Sequence, residues 1–71
     1  MFRTPVSSSN LTSVGYDPGS RVLEIEFHDG SVYQYSGVPE SVCRGLMAAD
    51  SHGRYLDIHV KKAGYGCRQV H

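Results

Sequence analysis

The sequence contains no tryptophan, only two phenylalanines and two cysteines, and carries no net charge. It also has no apolar run approaching the roughly 18 residues of a membrane span. Each absence removes a class of explanation. Without a C-x-x-C pair, neither a thioredoxin-type redox couple nor a zinc knuckle is written here. One disulfide between Cys43 and Cys67 is formally possible, but with no secretion signal both are expected to be free thiols, with no catalytic role. There is no G-x-x-x-x-G-K-[ST] or G-x-G-x-x-G to cradle phosphate, and no G-x-S-x-G nucleophile elbow. The opening residues, Met1 to Ser9, lack an apolar signal-peptide core, so a cytoplasmic location is the expectation. At 71 residues the chain is too short for a Rossmann or barrel scaffold. A domain this small buries only about 60% of the surface its unfolded chain exposes. That leaves little stability in reserve for a water-excluded active site, and neither an enzyme nor a bound cofactor is expected.

What the chain does have is patterned. Arg21 to Phe27 alternates, with Leu23, Ile25 and Phe27 on one side and Glu24 and Glu26 on the other, as in a half-buried antiparallel strand. Leu11 to Tyr16 also alternates, with Val14 and Tyr16 on one side, and Asp17-Pro18-Gly19-Ser20 marks a turn. His28-Asp29-Gly30 is a second turn, and Asp-Gly between alternating strands is a strong hairpin signal. Two registers follow from it. A three-residue loop with a glycine bulge sets Ile25 opposite Tyr33 and Leu23 opposite Tyr35, so both tyrosines join the apolar face. A two-residue loop sets Glu26 and Glu24 opposite them and turns both tyrosines outward. The first register is chosen, because a protein of this size needs those large side chains in its core.

Pro39 stops the strand and suits a helix start. Val42, Cys43, Leu46 and Met47 then form a helical stripe, with Gly45 as a weak point unless something packs close to it. Asp50-Ser51-His52-Gly53 breaks that helix. Tyr55, Leu56, His59 and Val60 repeat the stripe over Arg54–Lys62, although Ile58 and Val60 also fit a strand. Tyr65 to Val70 reads as a last strand or an extended tail. The expected fold is α+β: a three-stranded antiparallel meander, two short helices on one face and a short C-terminal strand. Residues 1–10 form a flexible lead-in and residues 11–71 a single domain.

Gly30, Tyr33, Tyr35, Gly37-Val38-Pro39 and Ala49-Asp50-Ser51-His52-Gly53, together with the lead-in Ser7-Ser8-Ser9-Asn10-Leu11 and Gly15-Tyr16, resemble the KTSC domain family over nearly the whole chain. Their order and spacing carry the resemblance. The family is named for a domain at the C-terminus of some lysyl-tRNA synthetases and also occurs as stand-alone small bacterial and phage proteins. The resemblance implies no established activity, and the synthetase context suggests RNA. Cys43 stands where an aromatic or other apolar residue is expected in the family, so no shared chemistry attaches to it.

Candidate sites are few. His52 and His59 are seven apart and His71 is terminal, with no zinc-type spacing. Cys43 with His59 could form a thiol–base pair in principle, but Cys43 falls on the apolar stripe and reads as a packed thiol. Glu24 and Glu26 read as a solvated face. Charge is uneven: residues 1–50 hold three arginines against six carboxylates, and residues 51–71 hold Arg54, Lys61, Lys62 and Arg68 against Asp57 alone. Those four cations are the candidate phosphate contacts. Tyr33, Tyr35 and Tyr65 are candidate stacking residues if they are not consumed by the core. Two functions are carried forward. One is a small non-enzymatic RNA-binding module using the basic end. The other is a protein-interaction module using a sheet edge or the C-terminal segment. Either would act as a monomer or weak dimer, without a membrane.

Leu46 lies at the centre of the first helical stripe. Leu46→Ala is expected to cost about 2–5 kcal/mol in urea unfolding, most of the stability of a domain this size. A loss below about 0.5 kcal/mol, typical of surface sites, would remove Leu46 from the core.

Overall fold

The computed structural model describes residues 2–71 and turns the alternating segments into one antiparallel sheet. Its strands are β1 (Arg3–Pro5), β2 (Leu11–Asp17), β3 (Val22–Phe27), β4 (Val32–Ser36) and β5 (Gly66–Gln69), side by side in that order. Helix α1 (Glu40–Ala48) and helix α2 (His52–Leu56), the latter continued by a π-helical turn over Asp57–Lys61, connect β4 to β5. The α+β class is as expected, but the sheet is larger than a three-stranded meander. Arg3–Pro5, expected to be flexible lead-in, forms the edge strand β1, with Arg3 opposite Gly15 and Pro5 opposite Ser13. Three residues that include a proline have no strand pattern of their own. Pairing with β2 supplies the order, and an edge tolerates proline because its missing N–H need serve no second neighbour. The rest of the lead-in is tied down too. Ser8 Oγ accepts from the backbone N–H groups of Asn10 and Leu11 at 3.2 and 3.3 Å. His28 lies 2.7 Å from both the Ser8 carbonyl and Thr12 Oγ1. Met1 lies outside the described residues.

The β3–β4 loop has three residues. Phe27 N–H donates to the Ser31 carbonyl and Gly30 N–H to the Phe27 carbonyl, both at 2.9 Å. Gly30 has φ +88°, a conformation that side-chain-bearing residues rarely adopt. The Asp29 carboxylate accepts from Ser31 N–H at 2.9 Å and Ser31 Oγ–H at 2.6 Å, and these bonds hold its pKa below the usual carboxylate value. Ile25 accordingly faces Tyr33, and Leu23 faces Tyr35.

Both helices lie on the face that carries these apolar residues. Leu46 of α1, together with Leu56 and Val60 of the second helical segment, joins Leu11, Val14, Leu23, Ile25, Tyr35 and Val38 in one buried cluster. The strand alternation and helical stripes put Leu23, Ile25, Tyr33, Tyr35, Val42, Leu46, Leu56 and Val60 in the expected core. Leu11, Val14 and Val38 join it in the structure, while Tyr33 and Val42 are only half-buried and Met47 of the first stripe is exposed. Arg54–Lys62 is helical rather than strand-like, because Leu56 and Val60 four residues apart can then both meet the sheet. Ser51 caps this helix, accepting from Arg54 N–H at 3.3 Å. Lys62 N–H reaches back to the Asp57 carbonyl at 3.1 Å, which closes the wider π turn.

The other face of the sheet is polar but not simply solvated. Glu24 is buried. Its carboxylate accepts from Arg3 Nη1 and Gln34 Nε2, both at 2.8 Å, while Glu26 accepts from Ser13 Oγ at 2.8 Å. Long side chains from β1 and β4 therefore cover the acidic pair that the sequence placed in water. A buried carboxylate without such partners would be strongly disfavoured.

Gly45 is explained by Tyr55. A Cβ at residue 45 would collide with the Tyr55 hydroxyl and lie 2.6 Å from its Cζ. The Tyr55 ring is held in turn against His59, with centroids 4.3 Å apart. Helix propensity alone would make Gly45→Ala stabilising by about 1 kcal/mol. The expected result in urea unfolding is instead a loss of about 1–3 kcal/mol from overpacking. In a Tyr55→Ala background the same substitution should become stabilising. A stabilising Gly45→Ala in the otherwise unaltered protein would mean that Tyr55 yields freely.

Candidate functional site

The three-residue hairpin loop sets Phe27, the last residue of β3, diagonally across from Tyr33 on the helix-bearing face. Their rings meet edge to face, with centroids 5.7 Å apart and planes at 79°. The π turn brings Lys61 over this pair, with Nζ 5.3 Å from the Phe27 centroid and 3.4 Å from Asp57 Oδ1. Tyr65, in the connection that enters β5, and Cys67 on β5 complete the wall. The result is an open groove of about 440 Å³ lined by Phe27, Tyr33, Tyr35, Lys61, Tyr65 and Cys67, with Asp29 and Ser31 at its rim. A second, more polar cavity of about 360 Å³ shares Phe27, Asp29 and Lys61 with it and continues past Asn10 and His28.

The tyrosines differ in what they can offer. Tyr35 is 3% exposed and forms the groove floor. Burial, with the Cys67 thiol beside it, pushes its phenol up to about 12. Tyr33 is half-buried: its ring packs against the core while its hydroxyl donates to Gln69 Oε1 at 3.2 Å. Tyr65 is also half-buried. One register thus makes Tyr33 part of the core margin and of the groove wall at once.

The four candidate cations do not lie together. Lys61 stands in the groove, Lys62 follows it and is exposed, and Arg54 is exposed in α2. Arg68 pairs across from Gln34 on the opposite face of the sheet and donates to Gln34 Oε1 at 3.2 Å. Alternation decides this separation: Cys67 and Gln69 share a face with Tyr35 and Tyr33, so Arg68 cannot. Phe27 is the groove residue that sequence reasoning did not single out. It read only as one residue of the strand's apolar face, yet the three-residue register already implied its place beside Tyr33. Cys43 and Cys67 are both free. Burial raises the Cys43 thiol pKa, with Glu40 adding to the effect. Among the described residues no group of three or more His, Cys, Asp or Glu side chains is arranged to hold a metal ion.

The raised Tyr35 pKa has a consequence for stability. An unfolded tyrosine ionises near 10, and the folded one resists until about 12. The contribution of the neutral, buried phenol is therefore fully present below pH 10 and is lost as pH rises from 10 through about 12. Tyr35→Phe is expected to flatten the alkaline fall in melting temperature over that window. An unchanged alkaline limb would assign the loss to other groups.

Gly37 has φ +82°, Val38 is fully buried, and Tyr16 donates its hydroxyl to the Val38 carbonyl at 2.6 Å. The model of the KTSC domain matches residues 7–65. An uncharacterised protein of Stutzerimonas stutzeri is 43% identical over 65 residues, covering 92% of this chain and 92% of that protein. The crystal structure of a KTSC domain protein from Yersinia pestis superposes with a TM-score of 0.89 at 46% identity, covering 99% of this chain and 97% of that one. A lysine–tRNA ligase of Nostoc is 36% identical over 53 residues, which cover 75% of this chain but only 9% of the ligase. With the family match spanning most of its length and a close structural neighbour sharing its whole fold, the chain belongs to the KTSC domain family.

Proposed function

We propose that this domain is a non-catalytic binding module that takes single-stranded RNA into the aromatic groove. The observation that carries the reading is the convergence of Phe27, Tyr33 and Tyr65 with Lys61 in one open groove of about 440 Å³. Aromatic faces accept any unstacked base, and a neighbouring ammonium suits the phosphate that follows it. The segment of the Nostoc lysine–tRNA ligase that this chain resembles supports the same direction by association only. Lys61 and Lys62 are the backbone contacts on the groove side, and Arg54 extends that side along α2. Arg68 is a secondary contact, since it lies on the opposite face of the sheet from the groove.

Fluorescence anisotropy with a labelled mixed-sequence single-stranded RNA tests this. Affinity should fall steeply between about 50 and 200 mM salt. Lys61→Ala with Lys62→Ala should weaken binding and lower the salt slope by about 1.4, the value for two lost single-strand phosphate contacts. Tyr33→Leu keeps an apolar side chain but removes the stacking face, and should cost about 5- to 150-fold in affinity. Arg68→Ala should matter less than either. Binding that is absent at low salt, or insensitive to all three changes, would overturn the RNA reading and favour a protein partner.

A further inference from the structure

We infer that β5 is a homodimerisation edge, on which a second copy of this chain pairs its own β5 in antiparallel fashion to join the two sheets. The sheet order leaves β1 and β5 as its two edges, and they are unlike. β1 is three residues long and contains Pro5 and the charged Arg3, the usual devices that blunt an edge. β5 has no proline, and all of Gly66–Gln69 is exposed.

The hydrogen-bond pattern shows which groups β5 offers. Val70 N–H donates to the Val32 carbonyl at 2.8 Å, and Val32 N–H donates to the His71 carbonyl at 3.0 Å. Bonded pairs alternate along an antiparallel ladder, so Gln34 with Arg68 and Ser36 with Gly66 are the next bonded pairs in the register. The backbone groups of Cys67 and Gln69 therefore point outward, away from β4.

Two-fold pairing that keeps both sets of helices on the same side requires residues of like facing to lie opposite each other. Of the registers that meet that condition, two pair three residues of β5 on each strand. One places Arg68 opposite Arg68 of the second copy, which like charges disfavour. The other centres on Cys67, so that Cys67 faces Cys67 of the second copy, Arg68 faces Gly66 and Tyr65 faces Gln69. This second register has no charge conflict, gives the long arginine a glycine opposite, and joins outward-pointing groups on both strands. It also sets the Cys67 walls of the two aromatic grooves side by side, making one longer groove across the assembly. A joint of so few residues predicts a weak, concentration-dependent dimer.

Sedimentation velocity of the full chain over rising concentration should show mass moving from one chain toward two. Gln69→Pro removes an N–H that the monomer does not use, and should leave circular dichroism unchanged while abolishing the dimer. Independently of that variant, Cys43→Ser leaves Cys67 as the one thiol, and a short bis-maleimide should then yield a covalent dimer. The same reagent should fail when the one thiol is moved to the opposite edge, in Cys43→Ser, Cys67→Ser, Thr4→Cys. A single-chain mass at every concentration, a dimer that survives Gln69→Pro in a folded protein, or cross-linking that favours residue 4 would each overturn the proposal. In the first case the β5 edge would be left to an extended strand from another protein.

Discussion

The inside of this molecule depends on the number of residues between β3 and β4. With three, closed by Gly30 at φ +88° and the bond from its N–H to the Phe27 carbonyl, Leu23, Ile25, Tyr33 and Tyr35 share one face. With one fewer, the same side chains would divide between the two faces and Glu24 and Glu26 would oppose the tyrosines. No later interaction could repair that, because strand side chains alternate and a slip moves the whole set. The helices pack where this choice puts the apolar surface. Asp29 secures the loop from outside by accepting twice from Ser31.

The same register shapes the opposite face. Placing Leu23 and Ile25 inward obliges Glu24 and Glu26 to face outward, where Arg3, Ser13 and Gln34 meet them. β1 thus does more than lengthen the sheet, since its arginine pairs a carboxylate that the sheet has largely removed from water. Surface ion pairs contribute little on their own. Here the Glu24 oxygens are shared between a guanidinium and an amide, and the geometry satisfies a group that would otherwise oppose folding.

The groove arises from what the helices leave uncovered. α1 and the second helical segment pack on the buried cluster that holds Leu23, Ile25 and Tyr35, and the groove opens beside it at Phe27 and Tyr33. The π turn shifts the last residues of the helix so that Lys61 stands above Phe27. Tyr55 against Gly45 fixes the approach of one helix to the other, and the helix end is positioned with it. A site assembled in this way combines an aromatic floor with a cation at its margin.

Local pattern was enough to place the strands β2 to β4, the first helix and Leu46, Leu56 and Val60 as core. Each of these follows from side-chain periodicity and turn chemistry acting over a few neighbouring residues. The same pattern left two hairpin registers, decided by the size of the core, and left Arg54–Lys62 between helix and strand. The sequence also named Tyr33, Tyr65 and Lys61 as residues of interest, but as separate items of composition. Only the tertiary structure brought them to one groove with Phe27, because that meeting depends on where the helical segment ends relative to the sheet. β1 was not legible, since Arg3-Thr4-Pro5 has no strand propensity and is ordered by pairing with β2. The separation of Arg68 from Lys61 was equally hidden. They are close in sequence and alike in charge, and only the β4–β5 register assigns them to opposite faces.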